Sequence, residues 1–193
     1  MTSPTSKRIR TIFALVIALF SVAAFALVIG KDSTSSGFGD KNSGVSLTSA
    51  EIDFLTMMIP HHEQAIEMSE LALTRSDDDE VIRLAEQIKS AQGPEISQMR
   101  SLLSEFGIEE DSSSHMAHMH GMLDEDEMAT LEKAKGIDFD RLFLSGMIKH
   151  HEGALDMVAL VGDSMRLSTL GEAIFTAQNE EIAKMQEMLA RKG

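Results

Sequence analysis

The chain has 193 residues, with 17 basic against 31 acidic side chains, a formal charge of −14, and no cysteine, tryptophan or tyrosine. Such acidity speaks against nucleic acid as a partner. The absence of cysteine excludes disulfides, thiolate metal sites, haem attachment through Cys-x-x-Cys-His and a lipid anchor on cysteine.

Lys7, Arg8 and Arg10 precede an apolar run from Ile12 to Ile29 that only Ser21 interrupts. Residues 1–30 therefore read as a signal peptide or an N-terminal transmembrane anchor. Ala24-Phe25-Ala26 offers a small-residue cleavage site. Leu27-Val28-Ile29 carry the apolar run beyond it, which favours a retained anchor with a cytoplasmic N-terminus. Under either reading the remainder is exported, to the periplasm or the extracytoplasmic face of the membrane. Membrane contact is expected through this segment alone. Residues 1–30 hold three of the 17 basic residues and none of the acidic ones, so the exported part carries 14 against 31, a formal charge of −17. Residues 31–46, rich in Ser, Gly and Asp, form a flexible linker.

The rest, residues 47–191, shows helical spacing and lacks strand signals. Thr48-x-x-Glu51 is a capping box that opens a helix running to about Thr74. Asp77-x-x-Glu80 opens a second helix that ends near Gly107, with a kink expected at Gly93-Pro94. Asp124-x-x-Glu127 starts a shorter helix to about Lys135. Two further helices are predicted over 138–161 and 164–191, divided at Gly162.

The first and fourth of these segments repeat each other about ninety residues apart. Met57-Met58-Ile59-Pro60-His61-His62-Glu63-Gln64-Ala65-Ile66-Glu67-Met68 matches Gly146-Met147-Ile148-Lys149-His150-His151-Glu152-Gly153-Ala154-Leu155-Asp156-Met157. The following helices match as well, Gln92-Gly93-Pro94-Glu95-Ile96-Ser97-Gln98-Met99 against Gln178-Asn179-Glu180-Glu181-Ile182-Ala183-Lys184-Met185. A tandem duplication of one helical hairpin makes a four-helix bundle the expected all-α fold.

At about 100° per residue, Phe54, Met58, His61, His62, Ala65, Ser69 and Ala72 share one side of their helix, while Glu63, Glu67 and Glu70 fall opposite. Both histidines of each pair thus border the stripe that faces the interior. Adjacent histidines diverge, so one ion is expected to pair imidazoles across the bundle rather than take both from one helix. Buried imidazoles need partners. Gln92 or Glu95, and Gln178 or Glu181, interrupt the apolar stripe of the second helix in each hairpin and are placed to accept a ring N–H. They would serve equally for histidines that bind no metal, and methionines at this spacing are often packing. The doubled pattern of Met58, His61, His62, Met68 and Met99 with Met147, His150, His151, Met157 and Met185 favours metal ligation. Imidazole accepts Cu(II) and thioether selects Cu(I), so copper is expected, chiefly as Cu(I).

A third cluster lies in the irregular stretch 109–122. His115, Met116, His118, Met119, His120 and Met122 are ligand types in a segment with no apolar periodicity. It reads as an unpacked loop able to wrap a soft ion or pass it on.

Met-x-x-His-His-x-x-Ala-x-x-Met in both copies, followed by Gln-x-x-Glu-Ile-x-x-Met, resembles a duplicated His-His domain family of unknown function. That family has a ferritin-like four-helix fold and includes CopM-type copper-binding proteins. The resemblance spans about residues 47–190. It implies export, copper binding through Met and His, and a role in copper resistance, and it carries onto the ten bundle residues named above. The chain departs from the family at Leu102 and Met188, where Trp is frequent, and at Glu51, where the second copy keeps Asp140.

The expected function is a non-catalytic, exported copper binder, for sequestration or as a chaperone, with copper donor or acceptor proteins as partners. A ferritin-like di-iron oxidase is the enzymatic alternative. It requires Glu-x-x-His pairs directed inward, and the sequence contains none. An acidic, metal-free interaction module is the other alternative.

Overall fold

The computed structural model describes residues 46–110 and 120–193. The expected membrane segment 1–30, almost all of the linker, and His115, Met116, His118 and Met119 lie outside these residues. Among the described residues the protein is helical and contains no strand: α1 (Ser49–Arg75), α2 (Asp79–Glu105), α3 (Glu125–Lys133), α4 (Gly136–Ala159) and α5 (Ser168–Ala190). None of these helices is long and apolar enough to cross a membrane.

Local chemistry sets most of the boundaries. Thr48 and Glu51 exchange hydrogen bonds as a complete capping box, and Asp124 and Glu127 do the same before α3. In the acidic run before α2 the capping side chain is Asp78, which accepts from the Glu80 backbone N–H at 2.7 Å, rather than Asp77. Three consecutive aspartates offer three candidate caps, and the sequence does not rank them. α2 is helical on both sides of Pro94, and α1 likewise contains Pro60. The last helix begins at Ser168 rather than Ser164. Ser164 turns its hydroxyl to the Leu167 N–H at 3.0 Å and holds a turn instead.

The long helices form two antiparallel hairpins, α1–α2 and α4–α5, which meet through α1 against α4. Phe54 shares a cluster with Met157, while Met68 lies beside Gly146, so α1 and α4 run antiparallel. The short α3 packs on both of them. Burial follows the predicted stripe: Phe54, Met58, His61, His62, Ala65, Ser69 and Ala72 are buried and Glu63, Glu67 and Glu70 are exposed.

Two apolar clusters fill the bundle. One contains Met58, Met99 and Met157; the other contains Met147, Met185 and Met68. These triplets are equivalent under the repeat, so a pseudo-twofold relation exchanges the two ends of the bundle. Each end is closed by an acid from one hairpin and a serine from the other. Glu51 accepts from Ser164 Oγ at 2.6 Å, and Asp140 accepts from Ser76 Oγ at 2.5 Å. Asp140 also receives Lys192 Nζ at 2.8 Å, and Lys192 reaches Asp78 at 2.6 Å. Hydrogen bonds to Ser164 and the Thr48 backbone hold the Glu51 carboxyl below the usual range. The bond from Lys192 does the same for Asp78.

Candidate metal centre

Between the two methionine-containing clusters lies a layer of four imidazoles. His61, His62, His150 and His151 are all fully buried. Antiparallel α1 and α4 bring the first histidine of each pair face to face. The rings of His61 and His150 have centroids 3.8 Å apart and are tilted by 41°. The fold thus brings one imidazole of each pair together across the bundle.

The second histidine of each pair turns toward the neighbouring helix of its own hairpin. His62 Nε2 lies 2.8 Å from Glu95 Oε2, and His151 Nε2 lies 2.7 Å from Glu181 Oε2. The glutamates, and not Gln92 and Gln178, are thus the partners. His61 Nε2 meets the backbone carbonyl of His120 at 3.2 Å. A carbonyl or carboxylate oxygen only accepts, so in all three contacts Nε2 carries the proton and donates. A neutral ring tethered in this way keeps its lone pair on Nδ1.

Those Nδ1 atoms have no partner. Among the described residues, eleven buried side-chain nitrogen and oxygen atoms lack a hydrogen bond. Nine of them belong to the four histidines, Gln92 and Gln178: Nδ1 of each histidine, Nε2 of His150, and both amide atoms of each glutamine. A buried polar group left unpaired costs about 1–3 kcal/mol. Five of the nine lie on the four imidazoles, which is expensive for the fold alone and suits a site that binds something.

The layer also disfavours protons. Burial first, and the neighbouring His62 second, push His61 down to about 3 despite its bond to His120. Burial, followed by His61, His151 and His62, holds His150 well below the ordinary imidazole range. Both central rings are therefore neutral at physiological pH, the form that coordinates metal.

Among the described residues no three His, Asp or Glu side chains converge as a metal-holding group. Further donors near the imidazoles would be sulfur. Met58 stands three and four residues before His61 and His62, and Met147 holds the same place before His150 and His151, spacings that share a helix face. Met99 and Met185 follow Glu95 and Glu181 by one turn. Met58, Met68, Met99, Met147, Met157 and Met185 are all buried. This donor set, neutral imidazole with thioether and no thiolate, fits copper and other soft ions better than hard cations.

The end of the third cluster is packed, contrary to the expectation of an unpacked loop through residue 122. The His120 ring is exposed, with Nδ1 3.6 Å from Asp156 Oδ2, and Met122 is half-buried. Leu123 is buried, and its backbone N–H and carbonyl each bond the Gln64 side chain at 2.8 Å. His115, Met116, His118 and Met119 lie outside the described residues. Gln64 and Gly153 stand in the repeat, but nothing in the sequence assigns them a role. The one available signal was that they occupy equivalent positions in the repeat and differ.

Comparison with known proteins agrees with the helical-bundle fold. The family model "Domain of unknown function (DUF305)" matches residues 51–189. A DUF305 fragment from Deinococcus radiodurans is 32% identical with a TM-score of 0.71, covering 76% of this chain and 99% of its own. A DUF305 protein from Streptomyces coelicolor is 31% identical with a TM-score of 0.70, covering 75% of this chain and 93% of its own. CopM in its Cu(II)-bound form is 29% identical with a TM-score of 0.65, over 73% of this chain and 96% of CopM, and its Cu(I)-bound form is also similar. No curated protein matches the chain. A duplicated His-His hairpin matched over both copies places this chain in the DUF305 family.

Proposed function

We propose that this protein is an exported, non-catalytic copper-binding protein that sequesters Cu(I), or hands it to acceptor proteins, through buried imidazole and thioether donors. The observation that carries the reading is the four-histidine layer. Its rings are sealed from water, three of them are tethered at Nε2, and every Nδ1 is without a partner. Similarity to CopM, whose structures include Cu(I)-, Cu(II)- and Ag-bound forms, supports copper as the cargo. A role in copper resistance belongs to the same reading.

Holding the metal would fall to His61, His62, His150 and His151, with sulfur from the flanking methionines. Glu95 and Glu181 orient two of the rings, a role typical of groups just outside a metal's own ligands. Burial excludes water and competing hard ligands. Export rests on the basic flank and apolar run of residues 1–30, and membrane attachment, where the run is retained, on that segment alone.

The test is Cu(I) competition titration of residues 31–193 against a chromophoric Cu(I) chelator, with His61→Ala/His150→Ala alongside. Uptake by the parent that the double variant loses supports the proposal. No uptake at micromolar copper overturns it, and iron uptake with oxygen consumption would favour the di-iron alternative.

A further inference from the structure

His61 and His150 are equivalent under the repeat, yet only His61 has a bonded Nε2. Its partner, the His120 carbonyl, belongs to a short strap, residues 120–123, that crosses α1 and α4. The strap is fixed at three points. Gln64 grips both backbone polar groups of Leu123 at 2.8 Å. The Leu123 side chain lies against Gly146, where an added Cβ would meet it at 3.3 Å. His120 and Gly121 lie so close to Gly153 that a Cβ there would sit 1.9 Å from the His120 carbonyl oxygen. Gly121 makes the turn with φ +83°, and a Cβ on it would meet the Lys149 carbonyl at 2.4 Å.

The side chains that meet the strap come from two repeat positions, and both differ between the copies. Gln64 is matched by Gly153, and Met57 by Gly146. Glycine mid-helix costs about 0.5–1 kcal/mol relative to alanine. Gly153 is accounted for by the close approach of the strap backbone, and Gly146 by the Leu123 side chain that lies against it.

We propose that this strap is a built-in positioning device for His61: Gln64 and Gly153 seat the His120 carbonyl so that it fixes the Nε2–H form of the ring and aims Nδ1 into the histidine layer. It does for His61 what Glu95 does for His62 and Glu181 for His151. This rests on the proposed copper site for its purpose, although the seating itself is independent of metal. His150, with no such partner, keeps both nitrogens available, so the central pair consists of one oriented and one adaptable imidazole.

The experiment compares the parent with Gln64→Ala, Gly153→Ala and Gln64→Glu. Metal-free protein is read by two-bond proton–nitrogen correlation of the imidazoles, and loaded protein by Cu(I) competition. The parent should show His61 as the Nε2–H tautomer. Gln64→Ala and Gly153→Ala should mix the His61 tautomers while leaving His62 and His151 unchanged, and should weaken Cu(I) binding about 10–100-fold, the usual effect of losing such an orienting group. Gln64→Glu, which keeps the acceptor for the Leu123 N–H and loses the donor to its carbonyl, should fall between. Unchanged His61 tautomer and unchanged affinity in both alanine variants would overturn the proposal. If Gly153→Ala fails to fold, Gln64→Ala decides alone, since its half-buried side chain fills no core space. A parent that takes up no copper would defeat the proposed function and leave the tautomer comparison to judge the strap.

Discussion

The two hairpins carry the same histidines, glutamates and methionines at the same spacing, and they treat the histidines differently. In both, the second histidine donates to a glutamate one helix away, His62 to Glu95 and His151 to Glu181. The first histidines part company: His61 has the His120 carbonyl, while neither nitrogen of His150 has a partner. The ends differ too. Asp140 holds a serine and a lysine at 2.8 Å, whereas Glu51 holds a serine, its own helix cap and a more distant cation, Arg166 at 3.6 Å. Duplication supplies the frame of imidazole and sulfur, and single departures from the repeat give each copy its own task.

That contrast is open to attack by substitution. The largest stability effect should come from Asp140→Ala, which leaves Lys192, itself mostly buried, without one of its two carboxylates. A loss of about 3 kcal/mol is expected in chemical denaturation. Glu51→Gln in the other copy should cost about 1 kcal/mol, because the amide oxygen can still accept from Thr48 while the amide nitrogen donates to the Ser164 hydroxyl. Equal losses would mean that the two ends are not specialised.

The histidines should separate by sign. His150→Leu removes two orphaned nitrogens from the interior and should stabilise the metal-free protein by about 1–2 kcal/mol while abolishing copper uptake. His62→Leu strips Glu95 of its partner and should lower stability by about 1 kcal/mol. Thermal melts of the two variants check this directly, and a shift of the same sign in both would break the distinction.

Acid should unfold the metal-free protein early. Burial lowers the folded-state pKa of His61 and His150 below the unfolded value of 6.5. Between those limits the unfolded chain binds more protons, so stability is intact above about pH 6.5 and is lost as pH falls. Each histidine contributes a slope of at most about 1.4 kcal/mol per pH unit. Below about pH 4.5, Glu51, Asp78, Glu110 and Glu127, whose pKa values are held down by their partners, add to the loss. Denaturation series at several pH values should show the slope between pH 6.5 and 4.5 roughly halved in His150→Leu. The smallest structural effect should come from deleting residues 115–119: helical circular dichroism unchanged, with fewer copper ions bound at saturation.

Much of this was legible in the sequence because it is local. The Thr48/Glu51 and Asp124/Glu127 caps depend on residues three apart, and the inward turn of His61 and His62 follows from helical periodicity. The choice of Glu95 over Gln92 was not legible, since residues three apart share a face and only the neighbouring helix decides between them. The strap was beyond reach for a different reason. Gln64 and Leu123 are 59 residues apart, and Gly153 in isolation reads as a weak point in a helix rather than a seat for another backbone. Ser76 meeting Asp140 across 64 residues is the same kind of contact.

Cu(I) titration followed by X-ray absorption at the copper edge tests most directly whether the imidazole layer holds copper. Mixed nitrogen and sulfur ligation is expected in the parent, with the nitrogen contribution lost in His61→Ala/His150→Ala. Copper bound with the same ligation and affinity in that double variant would show that the layer is not the site.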